Sequence, residues 1–346
     1  MQELKPTPLT IPLSWIYGLG SALYHGAFDR GFRKTVDLGR PVLSVGNLVV
    51  GGTGKTPVVM ALAHAIVAHE LAPAILTRGY GGSRTGLLRD GRWDSGEPAG
   101  IEAGDEPLLL SRMLPGVTIG VGKDRAQMGR RVLDRERVDV FLLDDGFQHR
   151  RLHRQANILL LDAARPFGNG HVLPAGPLRE FPAAIKRATA ILLTGSADSI
   201  PASLKERLGE LRFPIWTTHA RIDRFETLFG REQLELKCSV IAVAGIANPE
   251  RFYDSVKSHG LHLVSQHSFP DHHVYTKNEV RDLEQMALIQ NASLVTTAKD
   301  AIRLIPLATA DGWFVAGLRV DIDGGWGPFL ERILPESFAQ KKGAAP

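Results

Sequence analysis

A glycine-rich hexapeptide, Gly51-Gly52-Thr53-Gly54-Lys55-Thr56, follows an apolar run at residues 41–45 and precedes an apolar, helix-like segment at residues 57–64. This order of strand, glycine loop and helix predicts a phosphate-binding loop. Glycines let the backbone curl so that its N–H groups point at phosphate oxygens, and the helix adds its positive dipole end. We therefore expect Lys55 to contact the β and γ phosphates and the Thr56 hydroxyl to bind Mg²⁺.

Valine occupies the position where the usual motif has its first glycine, because Val49 and Val50 precede the hexapeptide. The two further glycines keep a nest of backbone N–H groups feasible. The predicted nucleotide-binding residues are therefore Val49, Val50 and the hexapeptide, and the predicted cofactors are ATP and Mg²⁺. The alternative is a glycine-rich turn that is followed by Lys-Thr by chance.

The composition is that of an ordinary globular protein: the chain has 346 residues, of which 44% are hydrophobic and 23% charged. This length favours two domains. Lys and Arg outnumber Asp and Glu by 41 to 37, a mildly basic balance that suits an anionic substrate or an anionic membrane surface. Cys238 is the only cysteine, which excludes an intrachain disulfide and a cysteine-based metal site and favours a reducing cytoplasm.

Strand and helix patterns alternate along the chain in two sets. Near-continuous apolar strands that are separated by crossovers indicate a parallel sheet covered on both faces. We therefore predict an α/β fold: a phosphate-loop NTPase-like parallel-sheet domain with a second, smaller α/β domain and an N-terminal interfacial helix. The predicted limits are 1–35 for the N-terminal segment, 36–220 for the kinase-like domain, 221–237 for a charged linker, 238–335 for the smaller lobe and 336–346 for a disordered tail.

The N-terminal stretch from Pro6 to Phe28 contains no formally charged residue, and its apolar residues recur at roughly helical spacing. Pro12 and several glycines interrupt it too often for a transmembrane helix. Four cations follow directly: Arg30, Arg33, Lys34 and Arg40. The pattern fits a helix that rests on anionic lipid, and it fits equally a helix that packs onto its own domain.

Candidate metal-binding acids follow an apolar run and end a Gly- and Pro-rich segment. Asp144 and Asp145 end the apolar run at residues 141–143, and strand ends of a parallel sheet converge on the ligand crevice. These two carboxylates are therefore predicted to hold Mg²⁺ beside the phosphate loop; the alternative is a turn capped by aspartate. A Gly- and Pro-rich segment, residues 173–180, ends in Arg179 and Glu180, which could add a phosphate contact and a further metal-side carboxylate.

Two more groups could activate an acceptor hydroxyl. Gly104-Asp105-Glu106-Pro107 places paired carboxylates before an apolar helix, and Phe269-Pro270-Asp271-His272-His273 places an acid and two imidazoles after a strand of the second set. The alternatives are a helix cap for Asp105 and structural roles for the histidines. Spacing alone leaves both pairs of interpretations open.

An ordered set of motifs resembles the tetraacyldisaccharide 4′-kinase family, the lipid A kinases of Gram-negative bacteria. The similar segments are residues 44–57, 77–82, 104–107, 144–149 and 173–180, followed in the second set by residues 243–246, 271–273 and 296–300. A phosphate loop alone is shared by many enzymes, whereas this series in the same order is far more specific.

The resemblance implies that the γ-phosphoryl group of ATP is transferred to the 4′-hydroxyl of tetraacyldisaccharide 1-phosphate, which gives lipid IVA. It implies a peripheral enzyme on the cytoplasmic face of the inner membrane, with the N-terminal helix in the interface and the active site between two lobes. The expected partners are this glycolipid and the anionic membrane surface; no nucleic acid is expected, and the chain is expected to be a monomer. The alternatives are a phosphate-loop ligase or metallochaperone NTPase, and a nucleotide-regulated membrane module without transfer activity.

The resemblance also implies residue roles. Asp105 resembles the catalytic base, with His272 as the imidazole that orients it and makes it more basic. Thr56 and the acids Asp144, Asp145 and Glu180 match the metal side of the site, and Arg78, Tyr80 and Arg125 match positions near the glycolipid head group.

Overall fold

The computed structural model describes residues 6–51, 54–195, 206, 214–228, 239–309 and 312–334. The chain divides into two compact units. We call residues 2–219 with 321–346 the loop unit, because it contains the phosphate loop, and residues 220–320 the insert unit. The predicted tail at 336–346 lies outside the described residues.

The loop unit is built on a mainly parallel sheet. Its strands follow the order β9-β8-β7-β1-β6-β2-β5-β3-β4, and only β3 pairs with its neighbours in antiparallel fashion. The strands are β1 Val42–Asn47, β2 Pro73–Thr77, β3 Gly86–Arg89, β4 Arg92–Trp93, β5 Thr118–Val121, β6 Val140–Asp144, β7 Ala156–Asp162, β8 Ala190–Thr194 and β9 Ile215–Thr227. The central strand β1 is buried throughout, as expected for a parallel sheet covered on both faces.

Five α-helices of the described residues belong to the loop unit: α1 Thr10–Asp29, α2 Lys55–Ala68, α3 Asp105–Met113, α4 Arg125–Leu133 and the late helix α8 Trp326–Ile333. Although α8 lies in the range that the sequence assigned to the smaller lobe, it packs in the loop unit: its Phe329 ring lies 4.7 Å from the Trp216 ring of β9. The predicted α/β fold class is confirmed.

The insert unit has a second parallel arrangement of strands, in the order β11-β10-β12-β13. The strands are β10 Ser239–Ala244, β11 His262–Ser268, β12 Ser293–Thr297 and β13 Trp313–Ile322, and the helices are α5 Pro249–Ser258, α6 Lys277–Ile289 and α7 Ala298–Leu304. Trp313 and Tyr253 are fully buried among apolar side chains of these elements. Burial of such large side chains gives this unit its own core.

The segment predicted as a linker, residues 221–237, begins inside strand β9, which extends to Thr227. Ile222, Phe225 and Leu228 are buried, while Asp223 and Arg224 are exposed and Glu226 is half-buried. Their charge therefore does not prevent strand formation. Residues 229–237 lie outside the described part of the chain.

Candidate active site

The phosphate loop connects β1 to α2 as the sequence predicts. Gly51 and Gly54 have φ angles of 107° and 79°, a left-handed region that favours glycine. Gly54 is the N-terminal cap of α2, so Lys55 is the first helical residue. Two of the predicted nucleotide-binding residues, Gly52 and Thr53, lie outside the described residues.

The start of this loop is tied to the Gly- and Pro-rich segment that ends at Glu180. Val49 forms an antiparallel bridge with Leu178, and the Val50 N–H donates to the Pro177 carbonyl at 2.8 Å. The Arg179 N–H in turn donates to the Leu48 carbonyl at 2.8 Å. The segment therefore fixes the backbone at the entrance of the phosphate loop.

Asp145 links the phosphate loop to Arg179 through its carboxylate. Its Oδ1 lies 3.6 Å from the Lys55 Nζ, and Arg179 Nη1 donates to Oδ1 and Oδ2 at 2.9 and 2.7 Å. Burial alone would raise the pKa of Asp145, but Lys55 and Arg179 lower this pKa below its usual value. Asp145 thus stays ionised between two cations, and its φ of 48° shows that the backbone bends sharply here.

Asp144, at the end of β6, lacks the hydrogen-bonded cation that Asp145 has. Its side chain is buried, and neither carboxylate oxygen has a hydrogen-bond partner within the described part of the chain. Burial, together with the nearby Glu106 and Asp145 carboxylates, raises the pKa of Asp144 to about 7, although Lys55 acts in the opposite direction. An unpartnered buried carboxylate beside two other acids is stabilised by a bound cation.

The donor set at Asp144 fits Mg²⁺. No cluster of three or more His, Cys, Asp or Glu side chains is preformed for a metal in the described ranges. Mg²⁺ does not require one, since it is usually held by one or two carboxylates together with substrate phosphates and water. Thr56 is the second residue of α2, the position at which the loop motif has its metal-binding hydroxyl; its contact with the ion stays a prediction.

Glu106 belongs to the paired-carboxylate motif of the sequence, and the structure links it to Asp144. It lies in the first turn of α3 and is close enough to Asp144 to raise the pKa of that carboxyl. Its signal was present in the sequence, because Glu106 directly follows Asp105 in the paired-carboxylate motif. Only the fold shows that Glu106 faces the end of β6.

The loop that carries Arg78 and Tyr80 packs against the turn that leads into α3. The N–H groups of Ser83 and Arg84 both donate to the Glu102 carbonyl at 2.9 Å. A Cβ on Gly82 would lie 2.7 Å from the Ala103 backbone, so the close approach needs glycine. The predicted head-group residues Arg78 and Tyr80 are thereby placed beside the start of α3, where Asp105 is the first residue, and the Tyr80 side chain is exposed.

Arg125 is buried at the start of α4, close enough to Asp144 and Asp145 to be affected by their charges. Burial lowers the pKa of Arg125, Arg78 lowers it further, and Asp145 and Asp144 oppose this effect. Its Nη1 lies 3.5 Å from His149 Nδ1, and burial together with Arg125 lowers the pKa of His149 to about 4. Arg78 and Arg125 therefore provide positive charge next to the acidic pair.

Glu180, predicted as a metal-side acid, lies in a different environment. Its Oε1 accepts a hydrogen bond from Arg187 Nη2 at 2.7 Å, and its Oε2 lies 3.2 Å from His25 Nε2 of α1. Burial lowers the pKa of His25 to about 4, more than Glu180 raises it. The structure therefore places Glu180 between α1 and Arg187, and its role as a metal-side acid stays a prediction.

Helix α1 contacts the loop unit through small and polar residues. Ser14 Oγ donates to the Val172 carbonyl at 2.7 Å, and a Cβ on Gly18 would lie 2.3 Å from Phe181 Cζ. The large apolar side chains of the helix are exposed instead, including Leu13, Trp15, Ile16, Leu19 and Leu23. None of the described helices is both long and apolar enough to cross a membrane.

Of the two predicted acceptor-activating residues, Asp105 lies in the loop unit and His272 in the insert unit. His272 has a φ of 64°, and Arg303 Nη2 lies 2.9 Å from its Nδ1 while Lys299 Nζ lies 3.1 Å from its Nε2. The pairing of Asp105 with His272 stays a prediction.

Comparison with known proteins gives a consistent result. The family model described as tetraacyldisaccharide-1-P 4′-kinase matches residues 7–335. A tetraacyldisaccharide 4′-kinase of Anaeromyxobacter sp. strain Fw109-5 is 39% identical over 91% of this chain and 88% of its own length, and that of Geobacter metallireducens is 40% identical over 87% and 89%. The crystal structure of LpxK from Aquifex aeolicus in complex with ATP is similar with a TM-score of 0.75 and 30% identity, covering 94% of this chain and 98% of that one.

Proposed function

The chain belongs to the tetraacyldisaccharide-1-P 4′-kinase family, and from that membership we propose how its residues carry out the reaction. It is a kinase that transfers the γ-phosphoryl group of ATP to the 4′-hydroxyl of tetraacyldisaccharide 1-phosphate, a step of lipid A biosynthesis. The observation that carries the proposed site is the buried, unpartnered carboxylate of Asp144 beside the phosphate loop.

ATP binds on the amides of residues 49–54, and Lys55 contacts its β and γ phosphates. Asp145, itself held by Arg179, keeps the Lys55 ammonium group in place before nucleotide arrives. Thr56 and Asp144 hold Mg²⁺, with Glu106 as the nearest additional carboxylate. When bound, this ion neutralises charge that develops on the phosphate oxygens.

The acceptor hydroxyl is activated by Asp105, which removes its proton, and His272 orients Asp105. This assignment rests on the family resemblance. Support from the loop unit is the position of Asp105 at the start of α3, one residue before Glu106. A base must lie within hydrogen-bond reach of the proton that it accepts, and Glu106, the next residue of α3, is close enough to Asp144 to raise its pKa.

Arg78, Tyr80 and Arg125 bind the head group of the glycolipid. Two guanidinium groups attract its 1-phosphate, and the Tyr80 side chain is 78% exposed and accessible to a sugar ring. The packing of the Tyr80 loop against the turn before α3 brings the bound sugar towards Asp105.

The enzyme is peripheral on the cytoplasmic face of the inner membrane. The exposed apolar side chains of α1 enter the lipid interface, and the exposed cations Arg30, Arg33, Lys34 and Arg40 contact anionic lipid. Support comes from the reversed polarity of α1, which buries Ser14, Gly18 and His25 and exposes its large apolar residues.

ADP release in the presence and absence of acceptor tests the function. With Mg²⁺ and detergent-dispersed tetraacyldisaccharide 1-phosphate, we expect ADP release that depends on the acceptor and is lost in Lys55→Ala and Asp144→Asn. A ligase or metallochaperone-type NTPase would release ADP without this acceptor. A nucleotide-regulated module would bind ATP and release none in either condition.

A further inference from the structure

Helix α1 turns three small or polar residues towards the rest of the loop unit. Ser14, Gly18 and His25 are its buried residues, and spacings of four and seven positions place them on one face of a helix. The large apolar side chains of α1 are mainly exposed. The buried face is therefore the part of the helix that can position other residues.

Two of these residues contact a single stretch of chain, residues 172–181, which we call the bracing segment. The Ser14 hydroxyl donates to the Val172 carbonyl at 2.7 Å. Gly18 lies so close to the Phe181 ring that a Cβ added to this glycine would collide with it. Helix α1 thus contacts the bracing segment at both of its ends.

The backbone of the bracing segment is folded tightly on itself. The Val172 carbonyl also accepts the Gly176 N–H at 3.1 Å. The Leu173 N–H donates to the Leu178 carbonyl at 2.9 Å, and a Cβ on Gly176 would overlap the His171 carbonyl oxygen. Val172 and Leu178 are both buried. A displacement at Val172 therefore reaches Leu178, because a close-packed interior transmits strain.

The far side of the bracing segment pairs with the entrance of the phosphate loop. Leu178 forms the antiparallel bridge to Val49, with a backbone hydrogen bond between the two stretches on either side of it. Arg179, the next residue, donates to Asp145, which is the partner of Lys55. The bracing segment therefore contacts both the loop backbone and the ion pair of the loop lysine.

We propose that Ser14 and Gly18 of α1 are positioning residues for the phosphate loop and act through the bracing segment. The Ser14 hydroxyl and the bare Cα of Gly18 set the position of the segment, and the segment sets the position of residues 48–50. The effect on nucleotide binding rests on the proposed function; the link from α1 to the loop does not. Because this link consists of a hydrogen bond, ring packing and backbone pairing, it does not require the charge of Glu180.

Amide hydrogen exchange of the full chain, followed by NMR, tests the link without nucleotide. The Val50 and Arg179 N–H groups join the loop to the bracing segment. Their exchange should become about 3- to 10-fold faster in Ser14→Ala and Gly18→Ala, the range for losing one buried hydrogen bond. Gly20→Ala is the matched control on the same helix, since nothing lies within 4 Å of its new Cβ, and it should leave both rates unchanged.

Strand β2 of the same unit supplies the reference amides for this experiment. The expected acceleration is confined to the loop entrance and the bracing segment, whereas the amides of β2 keep their rates. Equal acceleration in β2 would show a loss of global stability alone and would overturn the link. Unchanged exchange at Val50 and Arg179 in both Ser14→Ala and Gly18→Ala would overturn it as well.

ATP affinity is the readout for the reaction. Calorimetric titration of the folded protein with ATP and Mg²⁺ should give a Kd about 3- to 10-fold higher in Ser14→Ala and Gly18→Ala than in the unmodified protein, and an unchanged Kd in Gly20→Ala. A purely structural role of α1 would lower the melting temperature and leave this Kd unchanged, which would contradict the positioning role. The expected exchange pattern in a chain that binds no ATP would contradict only the proposed function.

Discussion

Replacing Glu180 by glutamine distinguishes a structural carboxylate from a metal ligand. The change keeps the shape of the side chain and removes its charge, while the partners remain in place: Arg187 Nη2 at 2.7 Å, with its side chain 19% exposed, and the buried His25 Nε2 at 3.2 Å. Arg187 lies over the Phe147 ring at 4.9 Å. Arg154 is also close by: its pKa is lowered to about 9 by burial, then by Arg187 and Arg150. Glutamine at 180 therefore leaves the partly buried guanidinium groups of Arg187 and Arg154 without this carboxylate.

The expected loss is large. Removing one partner of a buried ion pair typically costs about 3–5 kcal/mol, because the other charge stays buried and uncompensated. Urea unfolding should show a decrease of this size in the free energy of unfolding of Glu180→Gln. Glu136→Gln is the matched control: the Arg89–Glu136 pair has the same 2.7 Å separation but is 52% and 26% exposed, and exposed pairs contribute about 1 kcal/mol or less.

Calorimetric titration of the folded variant with ATP and Mg²⁺ completes the test. Mg²⁺-dependent ATP affinity should be retained in Glu180→Gln, because Glu180 faces Arg187 and His25. The reasoning is refuted if the free energy of unfolding falls by less than about 1 kcal/mol while Mg²⁺-dependent affinity is lost. That outcome would restore Glu180 as a metal ligand.

Three further predictions concern helix α1. The pKa of His25 is lowered from 6.5 to about 4, so the unfolded chain binds a proton at this residue before the folded chain does as the pH falls. The free energy of unfolding should therefore decrease between pH 6.5 and pH 4, by up to about 3 kcal/mol. Thermal melts of His25→Gln should show a shallower decrease. Gly20→Ala should stabilise the helix by about 0.5–1 kcal/mol, since nothing lies within 4 Å of the new Cβ. Gly18→Ala should not be stabilised, because its Cβ would collide with the Phe181 ring. Equal melting temperatures of the two variants would contradict this packing. Ile16→Glu, at a 69% exposed position, should weaken sedimentation with anionic vesicles and change the free energy of unfolding by no more than about 0.5 kcal/mol.

Much of the fold could be predicted from local patterns. The loop between β1 and α2 and the apolar strands of the parallel sheet are visible because each depends on a short run of neighbouring residues. Strands β3 and β4 were missed: they are only four and two residues long and lie in a segment rich in glycine and charge. The charge of residues 221–227 favours a linker, whereas they continue strand β9; the buried residues Ile222 and Phe225 are three positions apart, so no period-2 alternation indicates the strand.

The site was less accessible to sequence reasoning because its decisive contacts join distant segments. His25 and Glu180 belong to segments that no local pattern connects, yet they are in contact at 3.2 Å. Glu106 stands beside Asp105 in the sequence, but its effect on Asp144 follows from the adjacency of α3 and the end of β6. Spacing showed which residues are suited to chemistry, and packing decides which of them act together.

Transfer of labelled phosphate from ATP tests the central claim most directly. The purified chain is incubated with γ-³²P-labelled ATP, Mg²⁺ and tetraacyldisaccharide 1-phosphate, and the position of the new phosphate on the isolated lipid is determined by NMR. The account predicts a doubly phosphorylated lipid with the new group on the 4′-oxygen, and none with Lys55→Ala. Label that is found only in inorganic phosphate, or at another hydroxyl of the sugar, would contradict it.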